Sequence, residues 1–158
     1  MCPGNRSFNA WRGPGAGQGA VNGSDWQPYI RVMPHSEHPS GSSCICAALF
    51  DTARFTIGRD EWSTVVKFRK GTSVVEPGVT PVTDLTWTAR TLSELEDMCG
   101  ESRLWGGMHF PGAVPAGKQL CAGLGEMAYR RTAFLLAGDE KFCSSDNCSA
   151  MKAAFRNP

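Results

Sequence analysis

The chain has 158 residues, of which 41% are hydrophobic and 20% charged, with a net charge of +1. That length fits one domain with a single core, and the composition excludes wholesale disorder. Near-neutral charge gives no reason to expect nucleic acid or an anionic membrane as partner, and no apolar run is long enough to span a bilayer. A tightly held anion would therefore need positive charge focused at one place.

The elements follow in chain order. Residues 1–25 are rich in Gly, Asn, Ser and Pro, with Phe8 and Trp11 as anchors, and are expected to be an irregular segment, the remnant of a longer domain. Pro28, Pro34 and Pro39 make residues 26–39 an extended loop, the kind of segment that carries functional side chains. From Ser42 to Phe55 the residues Ile45, Ala48, Leu49 and Ala53 fall at helical spacing, which predicts a first helix. Residues 62–69 alternate as a strand, and Gly71 with Val74-Val75 is expected to close a short hairpin. Thr91-x-x-Glu94 is a capping box that opens a second helix, which Gly106-Gly107 ends. A third helix is expected over 115–136, weakened by Gly123 and Gly125, followed by a polar tail over 137–158.

Seven cysteines are present, and the spacings Cys44-x-Cys46 and Cys143-x4-Cys148 fit no zinc pattern. Cys44 and Cys46 read as small core residues, while Cys143 and Cys148 can pair in an oxidising compartment. The compartment itself stays open. Trp26, Trp62, Trp87 and Trp105 read as packing anchors.

Two stretches carry chemistry. His38-Pro39-Ser40-Gly41-Ser42-Ser43 is a proline-glycine turn opening onto the first helix. Its unpaired N–H groups, helix dipole and hydroxyls suit a tetrahedral oxyanion. Ser102-Arg103 followed by His109 forms the second stretch. Taken singly, Arg103 also reads as a cation answering the C-terminal dipole, and His109 as a packed core histidine.

Together these residues resemble the vanadium-dependent haloperoxidases, which share their fold with the type 2 phosphatidic acid phosphatases. Trp26-x-Pro28, Pro34-His35-x-x-His38-Pro39-Ser40-Gly41, Glu76-Pro77-Gly78-x-x-Pro81 and Ser102-Arg103-x5-His109-Phe110 carry the likeness, over about residues 24–125. The resemblance implies a mainly α helical bundle with a small β-hairpin and a catalytic portion over 26–136. It implies vanadate as cofactor, with hydrogen peroxide, a halide and a small organic acceptor as partners. Ser40 and the Gly41 N–H match donors to the vanadate oxygens, Arg103 matches the guanidinium holding them, and His109 matches the ligand to vanadium or, in the phosphatases, the nucleophile. His35 matches a histidine that bromoperoxidases carry and chloroperoxidases replace with an aromatic, so bromide is the expected halide.

Three positions depart from the family pattern. No Lys-x6-Arg-Pro signature is present; Arg12 stands where its arginine would fall, and Asn5 in the lysine's place. Ser42 replaces a histidine and can hydrogen-bond the apical oxygen but cannot act as a base. Ala113 replaces an aspartate that would orient His109. The family domain is longer than this chain, so a missing N-terminal portion or a homo-oligomer is expected to cover an exposed apolar face. A histidine phosphatase and an inactive truncated member are the alternatives.

Overall fold

The computed structural model describes residues 6–31 and 34–137. The expectations for Asn5 and for Cys143, Cys148 and the rest of the polar tail lie outside the described residues.

The chain runs β1 (Ser7–Trp11), β2 (Gln18–Asn22), α1 (Gly41–Ile57), β3 (Glu61–Phe68), β4 (Leu85–Thr91), α2 (Leu92–Trp105), α3 (Ala113–Leu120) and α4 (Leu124–Ala137). It is a mainly α structure with two separate antiparallel hairpins, β1–β2 and β3–β4. Helix α1 is central and packs against α2, α3 and α4.

The local signals explain most helix ends. Ser40 caps α1, and Gly58 closes it in a left-handed conformation (φ 76°). The Thr91 hydroxyl accepts from the Glu94 N–H at 3.0 Å, and the Glu94 carboxylate accepts from the Arg90 N–H at 2.6 Å, so the capping box forms with its second arm one residue upstream.

Glycines set how closely the helices pack. A Cβ at Gly117 would lie 2.1 Å from the Ser40 carbonyl oxygen, and one at Gly125 would lie 2.5 Å from the Thr52 nitrogen. Thus α3 and α4 touch the backbone of α1 through residues that have no side chain. The expected helix over 115–136 is in fact two, because Gly123 turns the backbone at φ 80°. Gly125, which weakens a helix taken alone, is what lets α4 dock. The Asp51 carboxylate then accepts from the Glu126 N–H at 3.2 Å, capping α4 from α1.

Two disulfides tie α1 to its neighbours, Cys44 to Cys121 at the end of α3 and Cys46 to Cys99 in α2. This corrects the reading of Cys44 and Cys46 as free core thiols; their partners lie 77 and 53 residues away, beyond what spacing shows. Arg54 pairs with Glu96 at 2.9 Å, and Lys118 reaches Glu96 and Asp97, so charge also links α1, α2 and α3.

Three other expectations are corrected. Residues 7–22 form a hairpin rather than irregular chain, its turn running through the positive-φ glycines Gly13, Gly15 and Gly17. Strand β3 pairs with Leu85–Thr91 and not with Val74-Val75, which lie in the long connecting loop. That loop folds on itself through Gly71 N–H to Pro81 O and Gly78 N–H to Gly71 O. Trp62 and Trp105 are exposed rather than packing anchors.

The loop and the N-terminal hairpin meet at one buried carboxylate. Glu76 accepts from the Trp11 indole N–H at 3.2 Å, the Gly15 N–H at 3.1 Å, the Thr80 hydroxyl at 3.3 Å and the Tyr29 hydroxyl at 3.5 Å. The Trp11 indole first, then the other donors, hold its carboxyl below the ordinary 4.5 against burial, which pushes it up. The buried apolar residues are few and small, among them Ala47, Ala89, Leu92 and Ala113. Ile45 and Leu49 on α1 and Leu135 and Leu136 on α4 are exposed.

Two predictions follow from these contacts. Gly117→Ala is expected to lower the unfolding free energy by about 1–3 kcal/mol, because its Cβ must displace the Ser40 carbonyl; urea denaturation measures it, and an unchanged midpoint would refute the close approach. For Glu76 the folded-state pKa lies below the unfolded one, so its contribution is present above 4.5 and lost as pH falls through the folded value. Glu76→Gln should therefore be less stable than wild type at neutral pH, with the gap closing in acid; a gap independent of pH would contradict the clasp.

Candidate functional site

The head of α1 is built around Ser40, which is fully buried. Its Oγ accepts from the Ser43 N–H at 3.2 Å and the Ser43 hydroxyl at 2.9 Å, leaving its own proton to donate. Its backbone N–H donates to the Ala113 carbonyl at 2.9 Å, and its carbonyl accepts from the Cys44 N–H at 3.1 Å. Gly41 and Ser42 occupy the first turn, where helix geometry provides no intrahelical acceptor for their N–H groups. No acidic residue stands in that turn, so nothing on α1 neutralises the positive end of its dipole. The space beside Gly41 is open: a Cβ there would meet no atom within 4 Å.

Arg103 lies in the last turn of α2. Its Nη2 donates to the Met108 sulfur, and its Nε is buried with no hydrogen-bond partner, the one such side-chain atom among the described residues. Arg103 as a whole is half-buried, and since a thioether is a weak acceptor, the buried part of its guanidinium lacks a strong partner. The helix-dipole reading of Arg103 accounts for its position but not for the unpaired Nε.

His109 sits on the turn between α2 and α3, with its side chain 2% exposed. Its Nδ1 lies 2.6 Å from the Glu37 carbonyl. A carbonyl only accepts, so Nδ1 is assigned the proton and Nε2 the lone pair. The His35 ring stands 5.2 Å from the His109 ring at 34°. Both rings line a cavity of about 550 Å³ with Trp26, Glu37, Met108 and Phe110. Hydrogen bonds tie the two stretches together: Ala113, the first residue of α3, holds Ser40, and Glu37 holds His109 and the Phe110 N–H.

Arg12 is placed elsewhere. It is exposed on the N-terminal hairpin, donates to the Ala16 carbonyl, and lines a second cavity of about 890 Å³ with Trp11 and Tyr29. The Trp26–Pro28 segment contributes Trp26 to the His109 cavity and Pro28 to the other, and both side chains approach Gly107 closely.

Glu37 is the site residue that sequence reading missed. The signal was a carboxylate in the segment leading to Ser40, in a chain lacking the expected aspartate at 113. Ala113 itself is 1% exposed and serves to seat Ser40.

These donors suit an oxyanion. Among the described residues no three His, Cys, Asp or Glu cluster to hold a bare cation. The set is one imidazole with a free Nε2, a buried guanidinium nitrogen lacking a partner, a hydroxyl with a proton to give and a helix N-terminus. Those donor types are the ones that a tetrahedral oxyanion such as vanadate takes.

The family model of the VCPO second helical-bundle domain matches residues 2–138. Among solved structures, a holo-type bacterial vanadium-dependent chloroperoxidase is 34% identical with a TM-score of 0.83, over 87% of this chain and 29% of that one. Its apo-type counterpart is 34% identical with a TM-score of 0.81, over 85% of this chain and 29% of that one. The chain thus spans under a third of the length of those structures. No curated protein matches.

Proposed function

Because the chain belongs to the vanadium chloroperoxidase family, as its second helical-bundle domain, we propose that it forms the vanadate-holding part of a haloperoxidase. The reaction proposed is oxidation of bromide by hydrogen peroxide to a hypobromite-like species that halogenates a small organic acceptor. The buried, partnerless Nε of Arg103 carries this reading. A guanidinium left unpaired inside a protein is costly, and an anion at that atom removes the cost.

Under this proposal, Arg103, the Ser40 hydroxyl and the Gly41 N–H hold the anion's oxygens, the Ser42 hydroxyl donates to the same group, and His109 ligates through Nε2. When bound, vanadate supplies Lewis acidity that activates hydrogen peroxide toward halide without a change in metal oxidation state. The cation and the helix dipole lower the cost of concentrating negative charge there, and the apolar Trp26 and Met108 limit water. His35, its ring 5.2 Å from that of His109, is proposed to exchange protons with peroxide and acceptor. Arg12, which lines the other cavity, has no part in the proposed anion site.

The halide has two readings. His35 favours bromide, whereas the likeness to solved chloroperoxidases favours chloride. Their rates on one acceptor decide between them.

The first prediction concerns binding and turnover. Vanadate is expected to bind wild type, followed by 51V NMR, and Arg103→Ala should weaken binding about 10–100-fold, the worth of charge-assisted hydrogen bonds. His109→Ala should abolish vanadate-dependent bromination; absence of both binding and turnover in wild type would refute the proposal. In the second, His35→Phe should raise the chloride-to-bromide rate ratio, and an unchanged ratio would remove His35 from halide choice.

A further inference from the structure

We infer that Glu37 is the positioning residue of His109, and that its side-chain carboxylate, not only its backbone, fixes which ring nitrogen is free to bind. The inference rests on the proposed role of His109 for its functional meaning, though not for its geometry.

Glu37 makes a two-point grip on consecutive residues. Its carbonyl oxygen lies 2.6 Å from His109 Nδ1, and its Oε1 accepts from the Phe110 N–H at 2.8 Å. The same Oε1 lies 3.8 Å from Nδ1. The backbone contact favours the Nδ1–H tautomer but does not by itself keep the ring in place. The carboxylate adds two things that a carbonyl does not. It pins the peptide following His109, so that the ring cannot swing away by rotation of the turn, and it places negative charge beside the Nδ1–H. Negative charge there makes the imidazole more electron-rich at Nε2 and so a stronger ligand to a Lewis-acidic centre.

The element that would otherwise supply this carboxylate is already committed. Ala113 is almost fully buried, starts α3, offers its carbonyl to Ser40 and brings no carboxylate. The charge instead comes from the loop before α1. Because Glu37 stands three residues before Ser40 in the chain, its grip on His109 and Phe110 also fixes that loop against the turn between α2 and α3. One residue thereby sets the ligand histidine relative to the helix head that receives the anion.

The test uses the full chain with 15N-labelled histidine. The protein has three histidines, and His109→Ala identifies the signals of His109. Wild type should show His109 as the Nδ1–H tautomer with a slowly exchanging ring proton. Glu37→Ala keeps the backbone carbonyl, so a ring held by the backbone alone would be unchanged; we expect faster exchange of that proton and a population of the Nε2–H tautomer. Glu37→Gln keeps an acceptor for the Phe110 N–H and should restore the wild-type tautomer. Vanadate affinity, read by 51V NMR, should fall about 10-fold or more in Glu37→Ala, the usual cost of losing a partner behind a metal-binding histidine. Wild-type His109 signals together with wild-type vanadate affinity in Glu37→Ala would overturn the assignment. If wild type fails to bind vanadate but Glu37→Ala still shifts the tautomer, the positioning role stands and the haloperoxidase reading falls.

Discussion

The contact on which the site depends is the seating of Ser40 against α3. The Ser40 carbonyl stands where a side chain on Gly117 would have to be, and its N–H is held by Ala113. This close approach fixes the head of α1 against the start of α3, and α3 follows directly on the turn that carries His109. Any side chain at 117 would separate the two, and the hydroxyl, helix N-terminus and imidazole would lose their common frame. Packing at this distance also explains why so small a set of buried residues holds the helices together. Backbone-to-backbone contact, two disulfides and the Arg54–Glu96 pair do what a larger apolar core does elsewhere.

Electrostatics then decide what the frame can hold. Several charged groups are answered within the fold: Arg54 by Glu96, Lys118 by Asp97, and Glu76 in the long loop by four donors. Arg103 differs, its Nε being the one buried side-chain polar atom among the described residues with no hydrogen-bond partner. The head of α1 carries no acid either. A buried guanidinium nitrogen without an acceptor and a helix head without an acid are both donor groups that no anion of the described fold answers. Donors of this kind are complemented by an oxyanion and not by a bare cation.

The periphery serves the site by position. The β1–β2 hairpin is attached through Trp11 and Gly15 to the Glu76 carboxylate, which also holds Tyr29 and Thr80. This clasp orders the Trp26–Tyr29 segment, whose Trp26 forms a wall of the His109 cavity. The exposed Ile45 and Leu49 show that α1, central among the helices described, still turns an apolar strip to solvent.

By itself the sequence determined what local offsets determine. The caps at Ser40 and Thr91 are hydrogen bonds between residues three apart, so they are legible as spacing. The glycines ending α2 and the residue types of the candidate site, with hydroxyls and glycine at a helix head, an arginine and a histidine, were legible for the same reason. The true partner of β3 and the disulfides were not, because each is fixed by a contact with residues far along the chain; the first hairpin and the split of the last helix turn on glycines at positive φ, which composition alone reads only as irregular chain or a weakened helix. Gly117 and Gly125 look like weak points in a helix until the neighbouring backbone occupies the space they leave. Only the tertiary structure brought Glu37 to His109, 72 residues away, and set Arg12 on another cavity. Spacing along a chain records which groups a segment can offer; long-range close approach decides which of them meet.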